Sequence, residues 1–365
     1  MARLIEQFKP LIDESQSTQG NRIGVFCPYT AEELVDAAGF QPFRLKPKWT
    51  DIRRADAYLP SNFCSYLRHI VDIGLADGLR GFRCVVFNHS CDGARRAHDV
   101  FSTYLGGIST VFVDIPKKKD EYSVQYYTAQ LRKFRTFLEE LRGKPIPDDA
   151  LSASVVRYNR NRELLRRLYG LMAGDRLPLS TEELVQVLDL NVTLPKEKAN
   201  TLLEEICAEA DTSKTGKIAG KGERRVFLSG NTLDVLPLLG FIEECGARVV
   251  GDDFCFGGRY GRVEIAETGD PVQALAEGYL SRVPCGRMEN YRERFDFLID
   301  EMNRSNARGL IYVSLKFCDN FLIDYPSLKK LLDAHGIPSL FLEGEYFSFR
   351  GGQVRTRVEA FLEML

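Results

Sequence analysis

The chain has 365 residues, 44% of them hydrophobic and 27% charged, which is the composition of a globular protein with two or three domains. Its net charge of −2 excludes a general electrostatic attraction for nucleic acid or for an anionic membrane. Because the first residues lack an apolar signal core and no apolar run reaches the ~20 residues of a membrane span, we expect a cytoplasmic protein.

Strand and helix patterns alternate through the first part of the chain. Short apolar runs predict strands at Arg22–Phe26, Arg83–Asn88 and Thr110–Asp114. Helical periodicity, with capping residues at several ends, predicts helices at Ala31–Ala38, Ser61–Ala76, Asp92–Leu105 and Tyr122–Arg142.

The middle of the chain has a different pattern. Leu151–Ala210 has helical periodicity without a convincing strand, and Gly216–Lys221 is typical of a loop or linker. Beyond it the alternation returns. Strands are predicted at Arg225–Ser229, Arg248–Gly251, Gly309–Leu315 and Pro338–Leu342. Helices are predicted at Leu233–Cys245, Pro271–Ser281, Tyr291–Arg304, Pro326–His335 and Gln353–Leu365.

Strands that alternate with helices are typical of doubly wound parallel sheets. We therefore predict an α/β protein with parallel-sheet lobes at residues 1–150 and 222–365, joined by a helical segment and linker at 151–221. Two segments repeat weakly, because Arg83–Arg95 and Gly309–Asn320 each place Cys-Asp a few residues after an apolar strand. This repeat predicts that the two lobes present Cys91 and Cys318 at equivalent positions.

Nine cysteines are the unusual feature of the composition. In a cytosolic chain they are expected to be reduced, so a disulfide framework is not predicted. The absence of any C-x-x-C pair excludes thioredoxin motifs, zinc ribbons and ferredoxin-type runs. None of the four histidines lies in an H-E-x-x-H motif, which excludes a zincin.

Three cysteines lie where parallel-sheet proteins form their sites. Cys91 and Cys318 follow predicted strands, and Cys64 falls in the first turn of a helix that Ser61 or Asn62 would cap. Helix N-termini stabilise thiolates, so these three could hold one iron–sulfur cluster and leave one iron open. From spacing alone, metal ligation and burial as small apolar side chains both stay open. The buried reading fits the remaining strand and helix cysteines best: Cys84, Cys207 and Cys245.

Several short motifs together carry a resemblance to a known family. They are GVFCPYTAEEL at Gly24–Leu34, LPSNFC at Leu59–Cys64, NHSCD at Asn88–Asp92, KFCD at Lys316–Asp319, GIPSL at Gly336–Leu340 and TRVEAF at Thr356–Phe361. In this order they resemble the 2-hydroxyacyl-CoA dehydratase D-component family, which includes benzoyl-CoA reductase subunits and double-cubane cluster proteins. The resemblance runs from about residue 22 to the C-terminus and is weakest in the helical middle.

The resemblance implies a fold of two flavodoxin-like lobes with a [4Fe-4S] cluster between them, ligated by Cys64, Cys91 and Cys318. It implies an ATP-hydrolysing iron–sulfur activator that delivers one low-potential electron. In a dehydratase, a lyase, that electron enters the thioester carbonyl of an (R)-2-hydroxyacyl-CoA, and the ketyl radical anion expels hydroxide. In a related oxidoreductase it reduces an aromatic acyl-CoA. Such enzymes are oxygen-sensitive and work under anaerobic conditions. They are usually heterodimers of two related subunits.

Two alternatives stay open beside this interpretation. One is a homodimeric reductase of small molecules that carries an 8Fe-9S double-cubane cluster, for which the loop cysteines Cys27, Cys255 and Cys285 are the candidate extra ligands. The other is a non-catalytic electron-transfer or assembly subunit, which would use the same three main ligands. The partner is accordingly a homologous second subunit or a second copy of this chain.

Candidate acid–base residues are fewer. His89, two residues before Cys91, could bond a cluster sulfur or protonate a leaving group, although a structural role is the simpler explanation. Glu343 and Glu345 follow the last predicted strand at a carboxyl end. Glu32 and Glu33 begin a helix, where the helix dipole explains them.

Overall fold

The computed structural model describes the chain except for residues 1, 9, 11–20, 48–50, 175, 213–216, 219–222, 232–235 and 350. The strands of the described part are β1 (Arg22–Val25), β2 (Gln41–Arg44), β3 (Phe82–Asn88), β4 (Ser109–Val113), β5 (Arg176–Leu177), β6 (Lys217–Ile218), β7 (Arg224–Gly230), β8 (Ala247–Asp252), β9 (Gly309–Leu315) and β10 (Ser339–Gly344).

The α-helices of the same part, apart from one 3-10 turn at Ala55–Ala57, are α1 (Ala2–Phe8), α2 (Glu32–Ala37), α3 (Ser65–Leu75), α4 (Asp92–Tyr104), α5 (Glu121–Arg142), α6 (Asp148–Ala173), α7 (Thr181–Asn191), α8 (Lys196–Thr212), α9 (Leu236–Glu244), α10 (Pro271–Ser281), α11 (Tyr291–Arg304), α12 (Asp319–Ala334) and α13 (Gly352–Glu363). None of them is long and apolar enough to cross a lipid bilayer.

Two parallel sheets organise the chain. The first has the order β2-β1-β3-β4 and the second the order β8-β7-β9-β10, so each sheet arranges its own strands as 2-1-3-4. This is the strand order of flavodoxin-like folds. The predicted α/β class is confirmed.

The central strands are apolar runs because helices cover both faces of a parallel sheet. All seven residues of β9 are buried, as are the last five of β3 and of β7. A separate core joins α1 to the helical segment, since Ile5 and Phe8 pack with Leu164, Leu168 and Leu203. The boundaries at residues 150 and 221 stay predictions.

Two strand predictions were wrong. The edge strand β2 was missed because its sequence, QPFR, contains a proline and two polar side chains, yet it pairs with β1 over four residues. Lys217–Ile218 pairs antiparallel with Arg176–Leu177, where a loop and purely helical structure were predicted. The rest of the predicted loop Gly216–Lys221 lies outside the described residues.

The helix predicted to begin at Pro326 begins at Asp319 instead, so the proline lies inside α12. Proline removes one helical hydrogen bond and disfavours the preceding turn. Tertiary contacts hold that turn, because Asp324 accepts hydrogen bonds from Arg294 and from the Tyr312 hydroxyl, the latter at 2.7 Å. The local signal at Pro326 was therefore overridden by a buried ion pair.

Candidate functional site

The shared strand order places two cysteines at equivalent positions. Cys91 follows β3 and Cys318 follows β9, which is the third strand of each sheet in the 2-1-3-4 order. In this order the connections leave on opposite sides between the first and third strands, and ligand sites form at that switch point beyond the carboxyl ends. The equivalence predicted from the repeat is confirmed by this topology.

Cys91 is itself the N-cap of α4, where Asp92 was predicted to be. Its backbone is extended and its Sγ accepts a hydrogen bond from the Ala94 N–H at 3.3 Å, so Asp92 becomes the first helical residue. Burial raises the pKa of the Cys91 thiol, while the Ala94 N–H favours the thiolate. Sequence reasoning favoured Asp92 because a carboxylate is the commoner cap.

Cys64 is the N-cap of α3, so the predicted start of that helix at Ser61, with Ser61 or Asn62 as its cap, was wrong. The residues before it form a turn that Phe63 N–H closes on the Pro60 carbonyl. The next residue, Ser65, accepts a hydrogen bond through its Oγ from the Tyr346 N–H of the second lobe at 2.9 Å. This bond fixes the start of α3 against the segment that follows β10.

Cys318 is the N-cap of α12 and follows Phe317, whose φ of +60° turns the chain sharply out of β9. Burial raises the pKa of its thiol to about 12, and a hydrogen bond with Asn231 opposes that rise. Asn320, two residues later, donates through Nδ2 to the Ser90 carbonyl at 3.2 Å. The two equivalent strand–helix turns therefore contact each other directly.

The three predicted ligands lie within electrostatic reach of one another. Burial raises the pKa of the Cys64 thiol well above its usual range, and negative charge on Cys318 or Cys91 raises it further. Cys318 is influenced by Cys91 in the same way. Three helix N-termini from two lobes thus direct cysteines into one region.

The candidate extra ligands form a neighbouring set. Cys27 follows β1 and Cys255 follows β8, while Cys285 lies in the loop after α10. Burial raises the pKa of the Cys27 thiol to about 11, and Cys285 and Cys255 both add to that rise. Because Cys255 also acts on Cys318, the two sets share one region between the lobes.

The remaining cysteines lie elsewhere, and all nine are free thiols. Cys84 in β3 and Cys207 in α8 are fully buried, which confirms the core prediction for both. Cys245 was predicted to be in the core as well, but it is half-buried after α9, with its Sγ 3.9 Å from Glu359.

Within the described residues, no three His, Cys, Asp or Glu side chains are close enough together to hold a single metal ion. An iron–sulfur cluster has a different requirement, because each thiolate binds a different iron and the ligands stand farther apart. The donor set consists of cysteines, which suits a cluster better than a lone hard cation.

Three buried arginines surround the cysteines, and the sequence reasoning missed them. Arg259 donates to the Cys255 Sγ at 3.0 Å and to the Pro284 carbonyl at 3.3 Å. Arg282 donates to the Pro28 carbonyl, and Arg287 donates to the Ile115 carbonyl at 3.0 Å. The signal was present in the sequence, since each lies within four residues of a cysteine.

These arginines carry positive charge that nearby carboxylates balance at most in part, since Asp253 acts on Arg259 only from a distance. All three are at least 94% buried, and among the described residues none forms an ion pair with a carboxylate within 4 Å. The Nε atoms of Arg282 and Arg287 are buried without a hydrogen-bond partner. Arginine stays protonated, and a buried charge needs compensation. An anionic metal–sulfur group would meet that need if the cysteines held one.

The acid–base candidates differ in how firmly they are held. His89 contacts Asp114 through Nδ1 at 2.7 Å, and Tyr126 donates to the same carboxylate at 2.7 Å. Burial raises the pKa of Asp114, but these two hydrogen bonds outweigh it and the net pKa is lowered. Glu343 is exposed within β10, and Glu345 follows the strand.

The glutamates at the start of α2 do more than complement the helix dipole. Glu33 is fully buried and accepts hydrogen bonds from Arg162 and from the Tyr279 hydroxyl, the latter at 2.9 Å. Glu32 accepts from the Tyr260 hydroxyl at 2.7 Å. These bonds join the first lobe to α6 and to the second lobe, and they fix the cleft in which the cysteines lie.

Comparison with known proteins finds relatives along nearly the whole chain. The chain is 27% identical to a benzoyl-CoA reductase subunit of Thauera aromatica over 88% of its length and 83% of that protein. It is 26% identical to the (R)-phenyllactyl-CoA dehydratase beta subunit of Clostridium sporogenes over 98% of this chain and 95% of the relative.

A third relative is the (R)-2-hydroxyglutaryl-CoA dehydratase beta subunit of Acidaminococcus fermentans, 26% identical over the whole length of both chains. Residues 27–365 match the family described as 2-hydroxyglutaryl-CoA dehydratase, D-component. The match covers all nine cysteines and every strand of the two parallel sheets except β1. The chain therefore belongs to the 2-hydroxyglutaryl-CoA dehydratase D-component family.

Proposed function

We propose that this chain is an iron–sulfur subunit of a 2-hydroxyacyl-CoA dehydratase-type enzyme, with Cys64, Cys91 and Cys318 as the ligands of a 4Fe-4S cluster. The observation that carries the proposal is that these three thiols are half-buried between the lobes, each at the N-cap position of a helix, and influence one another electrostatically. Family membership and three relatives that are subunits of acyl-CoA enzymes support the same activity.

The buried arginines support an anionic group in this cleft. The guanidinium of Arg287 favours the thiolate of both Cys27 and Cys91. When the thiols bind iron they lose their protons, and the negative charge that results would compensate Arg259, Arg282 and Arg287. The free thiols of Cys27, Cys64, Cys91 and Cys318, whose pKa values are raised by burial, cannot supply that charge near neutral pH.

When bound, the cluster would supply the low-potential electron that a thioester carbonyl needs before an unactivated hydroxyl can leave through a ketyl radical. The chain's own residues would position and shield it. The Asn320–Ser90 bond holds the Cys318 turn against the Cys91 turn, and the Ser65–Tyr346 bond holds the Cys64 turn. His89 is the best held of the acid–base candidates, because Asp114 orients its Nδ1 and leaves Nε2 for a proton transfer.

The proposal includes partners. An ATP-dependent iron–sulfur activator would deliver the electron, and a homologous second subunit would complete the active site with the acyl-CoA. The names of the relatives support a second subunit, because each of them is itself named as one subunit of a larger enzyme.

One observation favours a second candidate, the homodimeric double-cubane reductase. Cys27, Cys255 and Cys285 lie beside the first three cysteines, and a buried arginine donates to the sulfur of Cys255. Six cysteines in one cleft would suffice for an 8Fe-9S cluster. A non-catalytic electron-transfer or assembly subunit stays the third candidate.

The deciding experiment is the iron and acid-labile sulfide content of the anaerobically purified chain, with the EPR spectrum of its reduced form. About four irons per chain supports the dehydratase or benzoyl-CoA reductase type, and about eight supports the double-cubane protein. A cluster whose spectrum does not change when acyl-CoA is added to the assembled enzyme would indicate the non-catalytic subunit. No iron under strict anaerobic handling would refute all three.

The ligand assignment has its own test. Cys91→Ser should lose most of its iron while its circular dichroism spectrum stays that of the parent, because serine can still cap α4. Cys245→Ser is the matched control, since Cys245 is half-buried after α9 with its Sγ 3.9 Å from Glu359, and it should keep its iron. Full iron content in Cys91→Ser would show that Cys91 is not a ligand.

A further inference from the structure

A cavity of about 140 Å³ lies where the two lobes and the helical segment meet. Its wall is mostly apolar and comes from α7, α9, both sheets and the loop after β8. The main apolar contributors are Leu184, Leu188, Leu228, Leu239, Val249 and Phe256. An apolar cavity of about 150 Å³ is known to hold a benzene molecule, so this one has room for a six-membered ring or a branched alkyl group.

The charged residues of the cavity are already engaged. Lys46 and Asp189 form a half-exposed ion pair with each other. Asp252 bonds the Tyr169 hydroxyl through one oxygen and the Phe254 and Gly258 N–H groups through the other. Satisfied carboxylates and a paired lysine offer no net charge to a ligand, so a second carboxylate would be desolvated here without a free partner on these residues.

Among the described residues of the wall, Arg44 is the basic side chain without an ion pair, and it lies on the side of the cysteines. Its guanidinium covers the Phe256 ring and shares a hydrogen bond with the Tyr66 hydroxyl. Tyr66 also stacks on Tyr346 of the same wall, with ring centroids 5.9 Å apart, and the Tyr346 N–H bonds Ser65, the neighbour of Cys64, so this wall lies next to the cysteine cleft. The polar side of the cavity is therefore its cysteine side.

The cavity wall and the cysteine cleft also share short stretches of chain. Tyr66 is two residues after Cys64, and Phe254 and Phe256 flank Cys255 on both sides. A ligand with an apolar end in the cavity and an oxygen-bearing end toward Arg44 would present that oxygen to the cysteine side.

We propose that this cavity binds the side chain of the acyl group, and that the acyl group is uncharged, with an aromatic ring or a branched alkyl end. The inference rests on the proposed function, because it names the substrate class of that same site. The proposed acyl group therefore has an apolar side chain, and a preference for a dicarboxylic acyl group would contradict the proposal.

The first test needs no knowledge of the reaction. Benzene is titrated into the full-length, anaerobically purified chain, and binding is followed by NMR. Leu188→Trp should fill the cavity and weaken benzene binding by about tenfold or more. Gln186→Trp is the matched control, because it adds the same ring to the same helix at a position that does not line the cavity. Equal benzene binding by both variants and the parent would overturn the inference.

The second test compares 3-phenylpropanoyl-CoA with glutaryl-CoA by equilibrium binding to the same preparations. We expect the phenyl thioester to bind about tenfold more tightly or better, and Leu188→Trp alone to abolish that preference. Preference for glutaryl-CoA, or binding of neither thioester, would overturn the acyl assignment. Iron content judges the proposed function separately, since loss of iron with a retained phenyl preference would refute the function and leave the cavity assignment standing.

Discussion

Replacing Asp252 with asparagine should make the protein more stable at neutral pH and leave its stability at low pH nearly unchanged. Asp252 ends β8 and is buried, and burial raises the pKa of its carboxyl from the usual 3.8 to about 6, against the hydrogen bonds from Tyr169, Gly258 and Phe254. Asparagine keeps an oxygen for the two backbone N–H groups, and the Tyr169 hydroxyl can turn to accept from its amide.

The sign follows from proton uptake. Between about pH 4 and pH 6 the carboxyl is ionised in the unfolded chain and protonated in the folded one, so this group's contribution to stability falls as pH rises through that window. A difference of about two pKa units corresponds to about 3 kcal/mol. Above pH 6 the loss is complete and the contribution is flat.

Urea unfolding of Asp252→Asn and of the parent, both iron-free, at pH 4.5 and pH 7.5 tests this reasoning. The stability difference between the two proteins should shift in favour of the variant by about 2 kcal/mol from the lower to the higher pH. Since all other groups are shared, the comparison isolates this carboxyl. A difference that is the same at both pH values would refute the assignment of a protonated Asp252.

Three further substitutions have expected effects that follow from the structure. Glu33→Gln should lower the free energy of unfolding by about 3–5 kcal/mol, because it leaves Arg162 buried without its carboxylate; adding Arg162→Met should recover most of the loss in urea unfolding. Gly230→Ala should lower the free energy of unfolding by at least about 2 kcal/mol, because its Cβ would lie 1.9 Å from a backbone oxygen at a φ of +142°, whereas Gly107→Ala has open space and should leave the Tm unchanged. Arg259→Met should raise the Tm of the iron-free chain and lower the iron content of the anaerobically purified chain, since the buried guanidinium is destabilising without an anion and favourable with one. A variant in which the Tm and the iron content both rise, or both fall, would contradict this reasoning.

Much of the fold could be predicted because its elements carry strong local signals. Gly309–Leu315 is an unbroken apolar run, and the predicted strand has the observed bounds. Tyr291–Arg304 has clear helical periodicity and was also predicted with the observed bounds. Such segments are decided by their own sequence, because a buried parallel strand and an amphipathic helix need only the right period.

Other features depended on contacts that no local pattern carries. Cys64 and Cys91 cap their helices although cysteine is not a typical cap, because their strand or turn delivers the chain at that residue. Arg162 is buried against Glu33, which stands 129 residues earlier in the chain. Buried charges of this kind are specified by partners more than a hundred residues away, and a single sequence does not reveal them.

The buried position of Glu33 has a consequence for folding during synthesis. Its hydrogen-bond partner Arg162 lies 129 residues later in the chain, and its partner Tyr279 lies 246 residues later. At about 5–20 residues per second, ribosomal synthesis takes about 12–50 s to supply the second partner. The counter-charge, Arg162, is made after about 6–26 s at the same rate, and the Tyr279 hydroxyl follows later. We therefore expect the interior of the N-terminal lobe to finish packing around Glu33 only after both later segments have been synthesised.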